Sequence, residues 1–338
     1  MLRSLYSGIS GMKVNQTKLD VIGNNIANVG TTSFKSARVR FEDMLSQNVT
    51  QALGAGVNQG GINPRQVGLG TQLAGIDTVV SQGMMQPTSR NLDAAIDGDG
   101  YFIVGTGAVP ATNADGVKFD TTNTSSISDT SGMALNYTRD GAFTLDSQGN
   151  LLTSDGYRVM GYAINDGTND SVSYSSGKAT VNFADTNDTT KTLKAGDTLV
   201  PLVIPDSVTS GSKSLRIQTY SIGKNGLLTA VLEDGSVTAL GQIAMASFKN
   251  PAGLTKQGKN LYSESANSGT ATVRSGVGAT TDNGKGYGNM LQGMLEMSNV
   301  DLAEQFTDMI VTSRAFQANS KTITTGDEIL QDILNLKR

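Results

Sequence analysis

Apolar side chains recur at intervals of three and four residues at both ends of the chain. This is the heptad spacing of helices that pack along one seam. Near the N-terminus the seam is made of Leu2, Leu5, Ile9, Met12, Leu19 and Ile26, with Gln16 and Gly23 in the remaining positions. The spacing predicts one helix over residues 3–28, and Gly30 with the Thr-Thr-Ser run after it prevents the helix from continuing.

The C-terminal end carries a longer seam with the same spacing. Its apolar members are Leu302, Phe306, Met309, Phe316, Ile323, Leu330 and Leu334, and small or polar residues take the other positions at Ser313, Ser320 and Asp327. The seam predicts a helix over 300–336, with Ser298 or Asn299 as its N-cap. A lone helix pair buries little area, so we expect these ends to become ordered on self-assembly. Packing on the chain's own β-domain is the alternative.

Between the two ends the spacing changes to that of β-strands. Seven Asp-Gly pairs separate short runs rich in Val, Ile, Thr, Tyr and Phe, such as 101–104, 137–145 and 243–248. Asp-Gly between such runs is a hairpin signal. The predicted fold is therefore α+β and multidomain, with antiparallel β-rich middle domains and terminal α-helices that pair as an antiparallel coiled coil.

The predicted domain limits follow these changes in pattern. Residues 46–72 are rich in Gln, Gly and Asn, as linkers are, and 105–132 has the polar composition of a surface excursion. We predict a terminal helical core domain (1–30 and 285–338), a linker with a short helix (31–72), a β-rich domain (73–160 and 205–284) and a small inserted β-domain (161–204).

The composition excludes several kinds of chemistry. The 338 residues contain no Cys, His or Trp, which excludes zinc fingers, thiol nucleophiles and serine–histidine triads. The 26 Lys and Arg against 30 Asp and Glu give a net charge of −4, without a basic surface for nucleic acid. No segment has the apolar length of a membrane span, and the N-terminus lacks the pattern of a cleaved signal peptide. We expect no nucleic-acid partner, no membrane partner and no cofactor.

Two motifs resemble ligand sites and are interpreted as turns. Residues 253–260 match the phosphate-loop spacing G-x4-G-K, but Asn260 stands where a Ser or Thr must bind Mg²⁺. Residues 97–100 (DGDG) resemble the start of a calcium loop that lacks its final Glu. A catalytic pair among Asp93, Asp97, Asp99 and Asp140 is disfavoured, because aspartates are common in turns for local reasons. We therefore predict no catalytic, cofactor-binding or metal site.

Asparagines are unusually frequent near the end of the first predicted helix. Asn24, Asn25 and Asn28 lie there although Asn is a poor helix former. Two interpretations are open: a frayed helix end, or a polar strip that contacts neighbouring subunits.

Three separate segments resemble the bacterial flagellar axial proteins, the family of rod and hook subunits. They are LDVIGNNIANVGTTSFKSARVRFEDML (19–45), NLDAAIDGDGYFIV (91–104) with YTRDGAFTLDSQGNLL (137–152), and MLEMSNVDLAEQFTDMIVTSRAFQANSKTITTGDEILQDIL (294–334). The resemblance implies a structural subunit without enzymatic activity. In this family the terminal helices form the inner tube of a helical polymer, and the β-domains form its outer layers.

The resemblance also implies partners and a location. The partners would be further copies of the chain in a homopolymer, other axial proteins at the rod and filament junctions, the hook cap and the flagellar export apparatus. The location would be the extracellular hook or basal body of the bacterial flagellum. The chain would reach it unfolded, by type III export, without a cleaved signal peptide.

Two kinds of subunit within this family remain open. The opening MLRSLYSGISGMK, the β-material at 165–198 and the chain length favour a hook subunit. Such a subunit would form a universal joint that transmits torque from rod to filament. The long segment 46–72 is similar to that of distal rod proteins, which are the alternative.

Overall fold

The fold is that of a computed structural model, which describes residues 2–54, 60–120, 125–167, 170–175, 177–186, 193–210, 213–279 and 282–336. The chain divides into two compact units. The helical unit comprises Met1–Gly30, Lys35–Ser81 and Asn299–Arg338, and the β-rich unit comprises Thr31–Phe34 and Gln82–Ser298. No helix within the described ranges has the length and apolarity that crossing a membrane requires.

The helical unit contains the two predicted helices, α1 (Leu2–Ala27) and α2 (Leu302–Leu336). The predicted N-cap of α2 is wrong. Asp301 caps the helix, because its Oδ1 accepts the N–H of Ala303 at 2.8 Å. Asn299 lies before the cap and its side chain bonds the backbone of another segment.

The two helices lie against each other and run in opposite directions. Gly8 of α1 lies beside Ile323 of α2, and Gly326 of α2 lies beside Leu5 of α1. The approach is close, since a Cβ built on Gly326 would lie only 2.9 Å from Leu5 Cδ2. Small residues therefore bring the two backbones together.

Four strands of the helical unit form a β-ribbon. β1 (Ala37–Asp43) pairs with β4 (Thr71–Thr78), and β2 (Ser46–Thr50) pairs with β3 (Arg65–Gly68), all antiparallel. The prediction of a linker with a short helix over 31–72 is wrong within the described residues. Gln47, Asn48 and Gln66 of this segment lie in paired strands. Their polar side chains can bond across the ribbon, as Gln66 Nε2 bonds Asn48 Oδ1 at 2.6 Å.

The β-rich unit consists of antiparallel strands and short connections. Its strands are β5 (Met85–Pro87), β6 (Ala94–Asp97), β7 (Tyr101–Thr106), β8 (Val117–Phe119), β9 (Ile127–Asp129), β10 (Ala134–Thr138), β11 (Phe143–Leu145), β12 (Leu151–Thr153), β13 (Arg158–Asn165), β14 (Val172–Ser175), β15 (Lys178–Val181), β16 (Lys194–Pro201), β17 (Ser207–Ser210), β18 (Lys213–Ile222), β19 (Leu227–Leu232), β20 (Val237–Ile243), β21 (Met245–Ser247), β22 (Thr255–Gly258), β23 (Leu261–Ser263), β24 (Thr272–Val273), β25 (Asn289–Gln292) and β26 (Met294–Glu296).

The largest sheet follows the order β17-β18-β19-β20-β13-β7-β10-β23-β22. The central strand β7 is buried from Tyr101 to Gly105, as expected for a short apolar run covered on both faces. Hairpins at Asp155-Gly156 and Asp234-Gly235 have glycines with φ of 82° and 81°, the conformation that the Asp-Gly signal predicts.

The segment 161–204, predicted as an inserted domain, begins and ends in this sheet. β13 pairs with β16 through Met160↔Pro201 and Tyr162↔Leu199, so both ends of the segment belong to one ladder. Between them β14 and β15 form a separate two-stranded sheet. The overall division into the predicted domains stays a prediction.

Candidate assembly surface

The predicted seam residues of α1 lie beside the most buried face of that helix. Leu5, Met12, Leu19 and Ile26 are half-buried, and Ile9 is exposed. The side chain of Leu2 lies outside the described residues. The positions with least exposure are Gly8, Val14, Ile22 and Asn25, so the buried face is rotated by about one residue from the predicted seam.

The predicted seam of α2 divides into two groups. Met309, Phe316, Ile323 and Leu330 are half-buried, whereas Leu302, Phe306 and Leu334 are exposed by 39%, 50% and 67%. The small or polar half of the buried face is formed by Gln305, Thr312, Asn319 and Gly326. These residues lie one position before Phe306, Ser313, Ser320 and Asp327, and one of them, Gly326, allows Leu5 of α1 to approach closely.

Exposed large apolar side chains are concentrated on the helical unit. Of the 21 such residues in the described part of the chain, only Met84 and Leu145 lie in the β-rich unit, which leaves 19 on the helical unit. Those on α2 are Leu302, Phe306, Ile310, Val311, Ile329, Ile333, Leu334 and Leu336. Exposed apolar side chains in this number are typical of surfaces that bind another protein, a ligand or a membrane.

The β-ribbon adds to this apolar surface. Two strands alone expose both of their faces, and an isolated pair of strands is only marginally stable in water. Its exposed apolar side chains are Phe41, Met44, Leu45, Val49, Leu53, Ile62, Val67, Leu73 and Ile76. The ribbon therefore lacks a cover within its own unit for these side chains.

Asn25 joins α1, α2 and the ribbon inside the helical unit. Its side chain is 1% exposed. Nδ2 donates to Ala37 O at 2.8 Å and to Gln305 Oε1 at 3.0 Å, and Oδ1 accepts the N–H of Ala37 at 3.0 Å. Both earlier interpretations are wrong for Asn25, because it is buried within its own chain in a helix that extends to Ala27.

Asn299 holds the base of the ribbon from the other side. Its Oδ1 accepts the N–H of Ser36 at 2.8 Å, and its Nδ2 donates to the carbonyl oxygens of Val79 at 2.9 Å and Ser81 at 3.1 Å. The Lys35 ammonium donates to the same Ser81 oxygen at 2.9 Å. A cavity of about 410 Å³ lies beside these groups, and Lys18 and Asp308 form an ion pair of 3.4 Å at its wall.

Three of the four aspartates named in the sequence analysis make local contacts in the β-rich unit. Asp93 is buried and its Oδ1 lies 3.4 Å from Arg90 Nη1. Asp97 accepts from Gln82 Nε2, and Asp140 accepts from the N–H of Ala142 within its own turn. In the ranges that the structure describes, no group of three or more acidic residues is placed to hold a metal ion.

Residues 253–260 form the turn that the sequence predicts in place of a phosphate loop. They include β22 and the tight connection to β23, and a strand follows instead of a helix. Gly258, Lys259 and Asn260 have positive φ values of 85°, 53° and 58°. A phosphate loop would need a helix N-terminus at this place.

Comparison with protein families gives three matches along the chain. Residues 5–35 match a model described as flagella basal body rod protein, and residues 125–230 match the flagellar hook protein FlgE/F/G D1 domain. Residues 291–336 match the flagellar basal body rod FlgEFG protein C-terminal model. The matches include α1, much of the β-rich unit and α2.

Individual relatives match along their whole length. The chain is 44% identical over 338 residues to the flagellar basal-body rod protein FlgG of Bacillus subtilis, and 32% identical over 341 residues to the FlgG rod protein of Borreliella burgdorferi. It is 31% identical over 472 residues to the flagellar hook protein FlgE of Borreliella burgdorferi. All three alignments cover 100% of both chains. The chain belongs to the family of flagellar basal-body rod and hook proteins.

Proposed function

We propose that this chain is a structural subunit of the distal rod of the flagellar basal body. It would self-assemble through its helical unit into a helical tube, without enzymatic activity. The observation that carries the assembly proposal is the concentration of 19 of the 21 exposed large apolar side chains on that unit. The proposed partners are further copies of the chain and the neighbouring axial proteins, and the proposed route to them is type III export.

The proposed assembly uses two faces of α2. Met309, Phe316, Ile323 and Leu330 are half-buried and would form a coiled coil with α1. The exposed residues Leu302, Phe306 and Ile310 follow one another at intervals of four and form an apolar stripe along one side of α2. Ile329 and Ile333 are also exposed, but at about 3.6 residues per turn they lie about 180° around the helix from Leu302 and do not belong to this stripe. A helix with a second apolar stripe accepts a second neighbour. We assign this stripe, with Ile9 and Leu334, to contacts with other copies.

The choice of rod over hook rests on how this chain aligns with its relatives. Alignment with the Bacillus subtilis rod protein spans 338 positions, the full length of this chain, so this chain carries no gap in it. Alignment with the Borreliella burgdorferi hook protein spans 472, which is 472 − 338 = 134 positions more than this chain has. The chain length, which we interpreted as favouring a hook subunit, therefore supports the rod. The higher identity of 44% with a rod protein points the same way.

The assembly role is tested by changing the exposed stripe of α2. Phe306→Ser combined with Ile310→Ser removes two exposed apolar side chains and leaves the half-buried face unchanged. Polymer formation, followed by sedimentation and electron microscopy, should be lost while the circular dichroism of the monomer stays the same. Gln317→Ser is the control, since Gln317 is an exposed polar residue of the same helix. Normal polymer from the double variant would contradict the proposal.

The choice between rod and hook is tested in cells that lack the chain. Purified basal bodies viewed by electron microscopy should end at a shortened rod and carry no hook. Basal bodies with a complete rod and no hook would contradict the rod assignment and support the hook.

A further inference from the structure

Four residues of the N-terminal part of the chain belong to the β-rich unit. Thr31–Phe34 lies in that unit, whereas the segments before and after it, through Gly30 and from Lys35, lie in the helical unit. Without this excursion the chain would pass between the units only at 81–82 and 298–299. The passages at 30–31 and 34–35 raise the number of covalent connections between the two units from two to four. A segment of only four residues stays in the β-rich unit only if it makes strong contacts with that unit.

Ser33 is the most constrained residue of this segment. It is 2% exposed and has a φ of 55°, in the left-handed region that side chains with a Cβ disfavour. Its N–H donates to Glu296 O at 2.8 Å, and its Oγ donates to Arg139 O at 2.8 Å. The surrounding unit therefore holds Ser33 in a backbone conformation that serine disfavours.

The two residues that accept these bonds are themselves fixed by a buried ion pair. Arg139 Nε lies 3.2 Å from Glu296 Oε2, and the two side chains are 3% and 0% exposed. Glu296 Oε1 also accepts the N–H of Gly83 at 2.9 Å, and Arg139 Nη2 donates to Gly98 O. Each of these side chains has a second partner besides the ion pair. The backbone carbonyls of Arg139 and Glu296 are therefore held in place as acceptors for Ser33.

The turn that resembles a phosphate loop holds the segment from a second direction. Asn260 Nδ2 donates to Thr32 O at 3.1 Å, and Lys256 Nζ lies 4.9 Å from the centre of the Phe34 ring. Thr138 Oγ1 fixes the turn by donating to Asn260 O at 2.9 Å. Asn260 itself has a φ of 58°. Asparagine tolerates this left-handed conformation, and here its side chain reaches the backbone of Thr32.

We propose that Thr31–Phe34 is an anchor segment gripped by the β-rich unit, with Ser33 and Asn260 as its positioning residues. The anchor ties the chain leaving α1 to the β-rich unit and so adds two connections through which force passes between the units. The grip itself is a property of the monomer. Its mechanical use rests on the proposed function as a rod subunit.

The grip is tested by hydrogen exchange of the full-length monomer, measured by mass spectrometry on peptides that cover residues 31–36. Asn260→Gly removes the amide that bonds Thr32 and keeps a residue suited to positive φ, so the turn is preserved. Ser33→Ala removes the bond to Arg139. Each variant should exchange about fivefold faster in this segment, as expected for one lost hydrogen bond.

Lys259→Gly is the matched control, because it places glycine at the neighbouring left-handed position and keeps the Asn260 side chain. It should exchange at the rate of the unchanged protein. Near-ultraviolet circular dichroism of the tyrosines should be the same in all variants. Unchanged exchange in both Asn260→Gly and Ser33→Ala, or equal acceleration in the control, would overturn the anchor.

The mechanical use is tested on polymer. Asn260→Gly should polymerise to the normal yield, because the exposed stripe of α2 is unchanged, but its polymers should be shorter after controlled shear. Equal lengths after shear would overturn the mechanical role. Failure of the unchanged chain to polymerise would contradict the proposed function and leave the exchange result intact, so the two failures are distinguishable.

Discussion

The side chain of Asn25 bonds the backbone of Ala37 in both directions. Nδ2 donates to the carbonyl oxygen at 2.8 Å, and Oδ1 accepts the N–H at 3.0 Å. The amide thus takes the place that a neighbouring strand would have beside the first residue of β1. Since Nδ2 also donates to Gln305 Oε1, one buried side chain joins α1, α2 and the β-ribbon.

Replacing Asn25 should therefore destabilise the helical unit as a whole. Asn25→Ala leaves both backbone groups of Ala37 without this partner, and we expect a loss of about 2–3 kcal/mol in the free energy of unfolding. Urea unfolding followed by circular dichroism at 222 nm measures it. Asn24→Ala is the control: Asn24 is exposed, and we expect a change within about 0.5 kcal/mol. Equal effects of the two variants would contradict the role of Asn25.

The sequence predicted the two helices and their antiparallel contact, but not the identity of the buried face. A count of apolar residues favours Ile9 and Phe306, whereas the structure buries Gly8, Asn25 and Gln305 more deeply. Small and polar residues carry no hydrophobic signal, so a search for apolar spacing selects the neighbouring positions. The exposed apolar residues that result form the candidate assembly surface.

Two glycines on α1 differ in whether α2 lies close to them, so replacing each one distinguishes the effect of close packing from that of helix propensity. A Cβ built on Gly11 would lie 2.7 Å from Asn319 Nδ2, whereas a Cβ on Gly23 meets nothing within 4 Å. Gly11→Leu should force α1 and α2 apart and lower the free energy of unfolding by about 1–3 kcal/mol. Gly23→Leu should raise it by about 0.5 kcal/mol, because leucine favours the helix. Thermal unfolding of both variants tests the difference, and a stabilised Gly11→Leu would show that the Asn319 side chain moves aside to make room for leucine.

The β-ribbon could not be predicted from composition. Residues 46–72 contain Gln, Asn and Gly at the frequency of a linker, and apolar residues such as Val49 and Val67 are too sparse to show an alternation. The pairing depends on cross-strand partners, such as Arg40 with Asp77 at 2.5 Å, that lie far apart in the sequence. The β-rich unit was easier to predict, because Asp-Gly turns and buried runs are local signals.

The buried ion pair of the β-rich unit should be sensitive to the loss of either charge. Glu296→Ala leaves the Arg139 guanidinium without its carboxylate partner in a buried site, and we expect a loss of about 3–5 kcal/mol. Lys259→Ala removes an exposed pair with Asp155 and should cost no more than about 1 kcal/mol. Denaturant unfolding followed by tyrosine fluorescence measures both. Equal losses of unfolding free energy in Glu296→Ala and Lys259→Ala would contradict a stabilising role of the buried Arg139–Glu296 pair.

Buried tyrosines should make the β-rich unit unstable at high pH. Burial raises the pKa of Tyr101 to about 12 and raises the pKa values of Tyr137 and Tyr262 as well. An unfolded tyrosine ionises near its ordinary pKa of about 10, so above that pH the unfolded state loses protons that the folded state keeps. The stability from each tyrosine is complete below about pH 10 and is lost as the pH rises toward the folded pKa, by up to about 1.4 kcal/mol per pH unit.

Tyr101→Phe should therefore reduce the slope of unfolding free energy against pH between 10 and 12, since phenylalanine keeps the ring contact with Phe248 but does not ionise. Urea unfolding at pH 8, 10 and 11.5 measures the slope, and absorbance at 295 nm reports the ionisation. Tyr6→Phe is the control, because Tyr6 is 67% exposed on α1. An unchanged slope in Tyr101→Phe would mean that this phenol ionises without unfolding, and that water reaches it in the folded unit.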